Sequence, residues 1–320
     1  MKFPRTLLPF VLTAAACGGG ADGTLAVYAD VDPVIASGLP AGTGPEEIAD
    51  GWSLTYEHYA VHFDEVRVGK LSRPEKTRTL EVARVVDLAR VSGQAYLGEL
   101  VALSPGRWDS FSYAIGAARE ESACDESAGL LDDPSSVCRA MIDEGLAVFV
   151  VGTLEKADGQ SCPPDDTADD PFDSCAPASR VTFQLELPLE ASFVECRTES
   201  GLGVGIPSAG RASVALSYHS EHLLYNAFGE GARNIVLRAQ FLANADLDPD
   251  GVVTMEELES IPRSRFEQLF TNGTDIESFS AAYSLSGALL PIDTAADYVA
   301  AHLLTQGHLD GESECEPEIR

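Results

Sequence analysis

The sequence contains few basic residues for its length. Its 320 residues include 21 lysines and arginines against 51 aspartates and glutamates, which gives a formal net charge of −30 at pH 7. Nucleic acids and anionic lipid head groups repel such a chain, because binding to either depends on positive side chains. The composition therefore excludes both as partners and favours the accumulation of divalent cations.

The sequence also lacks an apolar run long enough to cross a bilayer. After the positive start Met1–Arg5, the run Leu7–Ala16 has about ten apolar residues, against roughly 20 in a spanning helix. This layout predicts a signal peptide over residues 1–16, and Ala14–Cys17 resembles the lipobox of bacterial lipoproteins. We expect export and a lipidated Cys17 that anchors the protein in the cell envelope, at the periplasm or the cell surface. Ordinary cleavage nearby is the alternative.

Common catalytic and phosphate-binding motifs are missing. The sequence has no Gly-x-Ser-x-Gly elbow, no His-Glu-x-x-His helix and no phosphate-binding loop. It also has no Cys-x-x-Cys pair, which argues against a zinc site made of thiolates. We therefore expect no enzyme activity. An exported hydrolase whose acids and histidines are dispersed along the chain remains an alternative.

Six cysteines remain besides Cys17, and an even number in an exported chain predicts three disulfides. Six cysteines allow fifteen pairings, and sequence proximity favours two short loops that leave one long one. The favoured pairs are Cys124–Cys138, Cys162–Cys175 and Cys196–Cys315.

Residues 246–257 match the EF-hand calcium loop at every diagnostic position. Gly251 stands at position 6, where the sharp turn needs a positive φ, and Pro249 stands at position 4, where we expect its fixed φ near −65° to distort the loop or weaken binding. Helical spacing over 232–245 and 255–261 flanks the loop. The expected Ca²⁺ ligands are Asp246, Asp248, Asp250, Val252, Thr254 and Glu257.

The rest of the pattern predicts an α+β protein with a β-sandwich-like body and a helical C-terminal part. Residues 181–187 alternate apolar and polar side chains, as a half-buried strand does, and 146–154 form a continuous apolar run typical of a buried strand. We expect a Gly-rich tether over 17–24, a β-rich body over 25–220, and a helical part with one EF-hand loop over 221–320.

Five histidines suggest a second metal site. Neutral imidazoles are ligands for Cu and Zn, and four of the five histidines form two pairs whose members lie three or four residues apart. Local hydrogen bonding in the core or at the surface is the alternative role. The candidates are His58 and His62 on one predicted strand, His219 and His222 at the end of the last one, and His308 before Cys315.

Several motifs together resemble uncharacterised secreted lipoproteins of myxobacterial type. They are the lipobox-like start, the run Gly51–Tyr56, Tyr218-His219-Ser220-Glu221-His222, the single calcium loop, and the run from Gly307 to Cys315. The resemblance covers most of residues 51–315, and it implies a calcium-binding envelope lipoprotein without implying catalysis. The exported β-rich body with strand histidines is more faintly similar to periplasmic copper-binding proteins.

These patterns predict a non-enzymatic extracytoplasmic lipoprotein whose fold is stabilised by Ca²⁺. Its only membrane contact is the lipid anchor, and its β-rich body binds a protein or small ligand that the sequence does not name. The alternative is a periplasmic or cell-surface copper- or zinc-binding protein that uses the histidines, with calcium in a structural role.

Overall fold

The structure is a computed structural model that describes residues 20–133, 135–165, 174–198, 200–228, 235–311 and 313–320. The predicted signal peptide and Cys17 lie outside these residues. The first strand begins at Gly23, so the end of the predicted tether belongs to a sheet. Within the described ranges, no helix has the length and apolar character needed to span a membrane.

Strands dominate the first two thirds of the chain, and short helices are concentrated near its end. The strands are β1 Gly23–Asp30, β2 Ser53–Lys70, β3 Arg73–Asp87, β4 Gln94–Leu103, β5 Gly106–Trp108, β6 Ser110–Ile115, β7 Ala123–Cys124, β8 Val148–Glu155, β9 Gln160–Ser161, β10 Ala176–Pro177, β11 Arg180–Leu187, β12 Ala191–Cys196, β13 Val204–Ile206, β14 Arg211–Tyr218, β15 Val252–Thr254, β16 Gly307–Leu309, β17 Ser313–Glu314 and β18 Glu316–Ile319. The helices are α1 Pro33–Ser37, α2 Val137–Glu144, α3 Gln240–Ala243, α4 Met255–Ser260, α5 Phe266–Thr271, α6 Phe279–Ala282 and α7 Ala295–Leu303, with 3₁₀ turns at Glu126–Ala128, Ser220–Leu224 and Arg263–Arg265.

Two large sheets share one apolar core. The smaller runs β17-β16-β14-β1-β4, and the larger runs β15-β11-β8-β2-β6-β12-β18, with β3 beside β2 and β7 beside β3. Tyr218 of the smaller sheet lies 6.2 Å from Tyr59 and 6.0 Å from Phe193 of the larger one, measured between ring centroids. This arrangement confirms the predicted sheet-rich α+β fold and fits a β-sandwich-like body.

The larger sheet is covered on both sides at β8, which explains the continuous apolar run there. Alternate residues of β8 and β11 face the main core. On the opposite side, Phe149 of β8 and Ala60 of β2 pack with Met141 of α2 in a second, smaller cluster. A strand buried on both faces needs apolar residues at every position.

The C-terminal part returns to both sheets of the body. Strand β16 pairs with β14, and β18 pairs with β12, next to the disulfide Cys196–Cys315. Cys124–Cys138 and Cys162–Cys175 complete the three predicted pairs. Three disulfides indicate that the protein folds in an oxidising, extracytoplasmic compartment.

The helix predicted over 232–245 is much shorter in the structure. Residues 229–234 lie outside the described ranges, Leu237 forms bridges with Ile48 and Tyr225, and α3 occupies only Gln240–Ala243. The carboxylate of Asp50 accepts hydrogen bonds from the backbone N–H groups of Ala239 and Gln240, both at 2.8 Å. This carboxylate satisfies the orphan donors at the helix start, so the helix begins there and not earlier.

Candidate metal sites

The acidic loop at 246–257 brings three carboxylates together. One carboxylate oxygen each of Asp246, Asp248 and Asp250 lies within 4.8 Å of the others. Gly251 has a φ of 82°, which provides the turn that this convergence requires. Strand β15 lies within the second half of the loop and pairs in parallel with Thr182–Gln184 of β11, so this half of the loop is fixed to the edge of the larger sheet.

Glu257, at position 12, connects α4 to the start of the loop. Its Oε1 accepts a hydrogen bond from the backbone N–H of Leu247 at 2.8 Å. Its Oε2 accepts from the backbone N–H and the hydroxyl of Thr254, which in turn caps α4 by accepting from the N–H of Glu257. This reciprocal capping holds the position-12 carboxylate next to the first aspartate of the loop.

Asp246 is the most unusual member of the loop. It is 3 % exposed; its Oδ2 accepts a hydrogen bond from the N–H of Gly251, and its buried Oδ1 has no hydrogen-bond partner. Burial, reinforced by the nearby charges of Glu257 and Asp250, raises the pKa of the Asp246 carboxyl. A buried, partly unsatisfied carboxylate among other carboxylates is unfavourable unless a cation compensates it.

Pro249 does not keep the φ expected from its ring. Its φ is 24°, on the left-handed side, whereas proline prefers a φ near −65°. The prediction that the proline ring fixes φ near −65° at this position is therefore wrong. The cost is local strain of about 1–3 kcal/mol.

A second cluster forms where β14 ends. His219 is the N-cap residue of the 3₁₀ turn Ser220–Leu224, and its ring centroid lies 5.9 Å from that of His222 within the turn. One ligand atom each of His219, Glu221 and His222 lies within 4.8 Å of the others. His308 on the neighbouring β16 joins them, with its ring centroid 4.1 Å from that of His219 and 5.4 Å from that of His222.

The hydrogen bonds of His222 determine its tautomer. The Thr305 hydroxyl donates to the carbonyl of His302 at 2.8 Å, so it accepts at 3.0 Å from the Nδ1–H of His222. The Nε2 atom of His222 therefore carries the lone pair. Burial lowers the pKa of His222 to about 4 despite the opposing charge of Glu221, so this ring is neutral near pH 7.

His219 lies between two carboxylates. Its Nδ1 is 3.2 Å from Oε1 of Glu221 and 3.3 Å from Oδ2 of Asp32, and its Nε2 is 3.3 Å from the carbonyl oxygen of Gly311. Burial alone raises the pKa of Glu221, but the hydrogen bond with His219 and the proximity of His222 outweigh it and lower that pKa, so Glu221 is ionised. Its second oxygen, Oε2, is buried without a hydrogen-bond partner.

The cluster borders a cleft of about 510 Å³. His222 and His308 form part of its wall, and the disulfide-bonded Cys315 lies in the same wall. The rest of the lining mixes apolar and acidic residues, including Tyr225, Leu289, Glu314, Glu316 and Pro317.

His58 and His62 lie elsewhere. Both are on the face of β2 that turns away from the main core, where His58 contacts Phe149 of the smaller cluster. Nδ1 of His58 is 2.6 Å from Oδ2 of the buried Asp87, and His62 hydrogen-bonds to the Gly116 carbonyl and the Ser122 hydroxyl. Because side chains alternate across a strand, this pair cannot join the other three histidines.

The contact between Ser122 and His62 has the atoms of a nucleophile–base pair, since Oγ and Nε2 are 2.9 Å apart. Ser122 is 3 % exposed and His62 is fully buried, so a substrate has no access to the hydroxyl. A backbone carbonyl occupies the place of the acid that orients histidine in hydrolases. We assign this pair a structural role.

Sequence reasoning missed three residues of the histidine cluster. Glu221 was visible between the two histidines, but only the imidazoles were counted as ligands. Asp32 and Thr305 are 187 and 86 positions from His219, as their numbers show, and only the fold brings them together. A glutamate between two histidines at the end of a predicted strand is the signal that a sequence search can use.

Comparison with known proteins gives no match: no family model fits the chain, and no curated protein or solved structure is significantly similar to it. The geometry of these two sites therefore has to support the functional argument alone.

Proposed function

We propose that this protein is an extracytoplasmic calcium-binding protein whose fold is stabilised by one Ca²⁺ in the loop 246–257. The observation that carries the proposal is the buried, unpartnered Oδ1 of Asp246 beside two further carboxylates. Ca²⁺ takes six to eight oxygens, and an EF-hand loop supplies them from alternate positions and a terminal Glu. The ligands are Asp246, Asp248, Asp250, the carbonyl of Val252, Thr254 and Glu257.

Calcium in this loop connects two parts of the fold. Residues 252–254 form the edge strand of the larger sheet, and α4 follows directly from them. We expect a Kd of roughly 10⁻⁵ to 10⁻³ M, as in extracellular modules, because the strained Pro249 and the single loop both weaken binding. At free calcium 100 times the Kd, binding stabilises the folded state by about 2.7 kcal/mol.

In this proposal the protein is a binding protein and not an enzyme, and a lipid on Cys17 holds it at the cell envelope. The burial of the Ser122–His62 pair supports the first statement, and the lipobox-like Ala14–Cys17 supports the second. Its partner is a protein or small ligand bound by the sheet-rich body. Cys17→Ser should move the protein from membrane to soluble fractions, and wild-type protein in the soluble fraction would refute the anchor.

A calorimetric titration with calcium tests the main proposal. We expect one Ca²⁺ per chain in the wild type and strongly weakened binding in Glu257→Gln, because glutamine keeps the helix cap but removes the charge and the second carboxylate oxygen. Glu256→Gln is the matched control, since the neighbouring Glu256 is exposed and undergoes the same chemical change. Equal binding by both variants, or no binding by the wild type, would show that the loop is only an acidic turn.

A further inference from the structure

Two carboxylate oxygens lie beside Nδ1 of His219, Oε1 of Glu221 at 3.2 Å and Oδ2 of Asp32 at 3.3 Å. The carbonyl of Gly311 only accepts hydrogen bonds, so Nε2 of His219 carries a hydrogen, and Nδ1 is the ring atom that faces the carboxylates. Buried carboxylates are stable only where a positive charge compensates them, and at Nδ1 that charge is either a proton or a metal ion.

A proton on Nδ1 accounts for only part of the cluster. It satisfies His219, but it leaves Oε2 of Glu221 buried without a partner, and one ring nitrogen of His222 lies within 4.8 Å of the same group. A metal ion bound to all three residues satisfies each of these atoms. We propose that His219, Glu221 and His222 bind a divalent transition metal ion, with Zn²⁺ as the reference ion, and that the ion keeps an open coordination position towards the adjoining cleft.

The donor set favours zinc over calcium. Two imidazoles and one carboxylate are a ligand set of zinc sites that retain an exchangeable position, whereas Ca²⁺ takes oxygen ligands. The neutral tautomer of His222, fixed by Thr305, is the form that binds metals. The carbonyl of Gly311 lies 3.3 Å from Nε2 of His219 and accepts the hydrogen of the ring nitrogen that does not face the metal, as outer partners of metal-binding histidines do.

The cleft determines what this site can bind. His222 belongs to both the ligand set and the cleft wall, so the ion lies at the boundary between the cluster and the cleft. His308 is the nearest additional donor and packs against both other rings. A metal ion in this position attracts a small ligand with an anionic or carbonyl oxygen, and the ring of Tyr225 and the side chain of Leu289 can contact the rest of that ligand.

This inference goes beyond the calcium proposal and does not depend on it, because the two sites share no residue. The test is a titration of metal-stripped full-length protein with Zn²⁺ in excess calcium, which saturates the acidic loop. We expect one Zn²⁺ per chain in the wild type and in the control His58→Gln. His222→Gln should weaken binding by at least about 100-fold, since a direct ligand matters more than an outer partner.

Folding is checked separately from binding. His222 is partly exposed, and thermal unfolding in the presence of a chelator should give similar curves for wild type and His222→Gln. If that variant does not fold, the isosteric Glu221→Gln replaces it, and we expect the same loss of Zn²⁺ affinity. No stoichiometric Zn²⁺ in the wild type, or wild-type affinity in a folded His222→Gln, overturns the proposal and assigns the cluster to a proton-bridged ion pair.

The open coordination position has its own readout. Co²⁺ substitutes for Zn²⁺ and has visible absorption bands that depend on its ligands. We expect azide to shift these bands in the wild type by binding at the cleft side of the ion. Stoichiometric Co²⁺ with a spectrum that azide leaves unchanged would overturn the open position and show that the protein closes the coordination shell.

Discussion

The acidic loop and the histidine cluster differ in how the chain builds them. The loop takes all its oxygens from twelve consecutive residues, and its turn is set by Gly251. The cluster combines the 3₁₀ turn after β14 with the N-cap residue of α1, a residue of β16 and one from the segment after α7. The loop needs only local geometry, whereas the ring contacts of the cluster also depend on residues that are distant in sequence. The two sites should therefore respond differently to metal removal, to substitution and to pH.

The largest difference should come from selective chelation. EGTA removes calcium and should lower the melting temperature by roughly 5 °C, which corresponds to the loss of about 2.7 kcal/mol. A zinc-selective chelator should lower it less, because disulfides and strand pairing already hold the elements around the histidines. Differential scanning calorimetry measures both effects. Equal shifts with the two chelators would mean that the sites are energetically alike, contrary to this comparison.

The effect of Asp246→Asn on the free energy of unfolding should have opposite signs in calcium and in EGTA. In saturating calcium we expect a loss of stability, because the first ligand charge is gone. In EGTA we expect a gain of up to about 1 kcal/mol, because a buried carboxylate no longer faces Asp250 and Glu257. Chemical unfolding under both conditions measures the change.

The control for this reversal is Asp248→Asn, at an exposed position of the same loop. It should weaken calcium binding without the gain in EGTA. A destabilised Asp246→Asn in EGTA would mean that Asp246 has a structural role and is not held in place for a cation.

Pro249→Asn should stabilise the protein by about 1 kcal/mol whether or not calcium is present. Asparagine tolerates the left-handed region that the φ of 24° occupies, and proline does not. Unfolding curves in calcium and in EGTA measure this. A loss of stability in both would contradict the strain assigned to this position.

The smallest effect that we expect concerns the pH dependence of stability at His62, which lies outside the metal cluster. Burial lowers its pKa below the usual 6.5, so its contribution to stability is complete above pH 6.5 and is lost as the pH falls towards the lowered folded value. His62→Gln should reduce the dependence of the unfolding free energy on pH in this acid range. The lost hydrogen bonds should lower that free energy by the same amount at every pH. Unfolding free energies measured across pH 4–7 test it, and an unchanged acid slope would count against it.

The sequence-based predictions succeeded where the pattern was local. Alternation located β11, the apolar run located β8, and proximity identified two of the disulfides, which left the third. The three aspartates of the acidic loop lie close together, as their spacing indicates.

The failures have tertiary causes. The helix before the loop is cut short by the carboxylate of Asp50, some 190 residues earlier in the chain, and by the bridges of Leu237. Likewise, no sequence spacing connects Asp32 or Thr305 with His219, because strand pairing and packing bring them together. Periodicity reports which face of an element is buried, but it does not report which other element covers that face.

The central claim is that one chain carries two cation sites of different chemistry. Its most direct test is a crystal grown with both Ca²⁺ and Zn²⁺, with anomalous diffraction recorded on both sides of the zinc absorption edge. We predict a zinc peak at His219, Glu221 and His222. Within the loop 246–257 we predict a separate peak whose height does not change across the zinc edge. Zinc in the acidic loop, or no peak at the histidines, would contradict it.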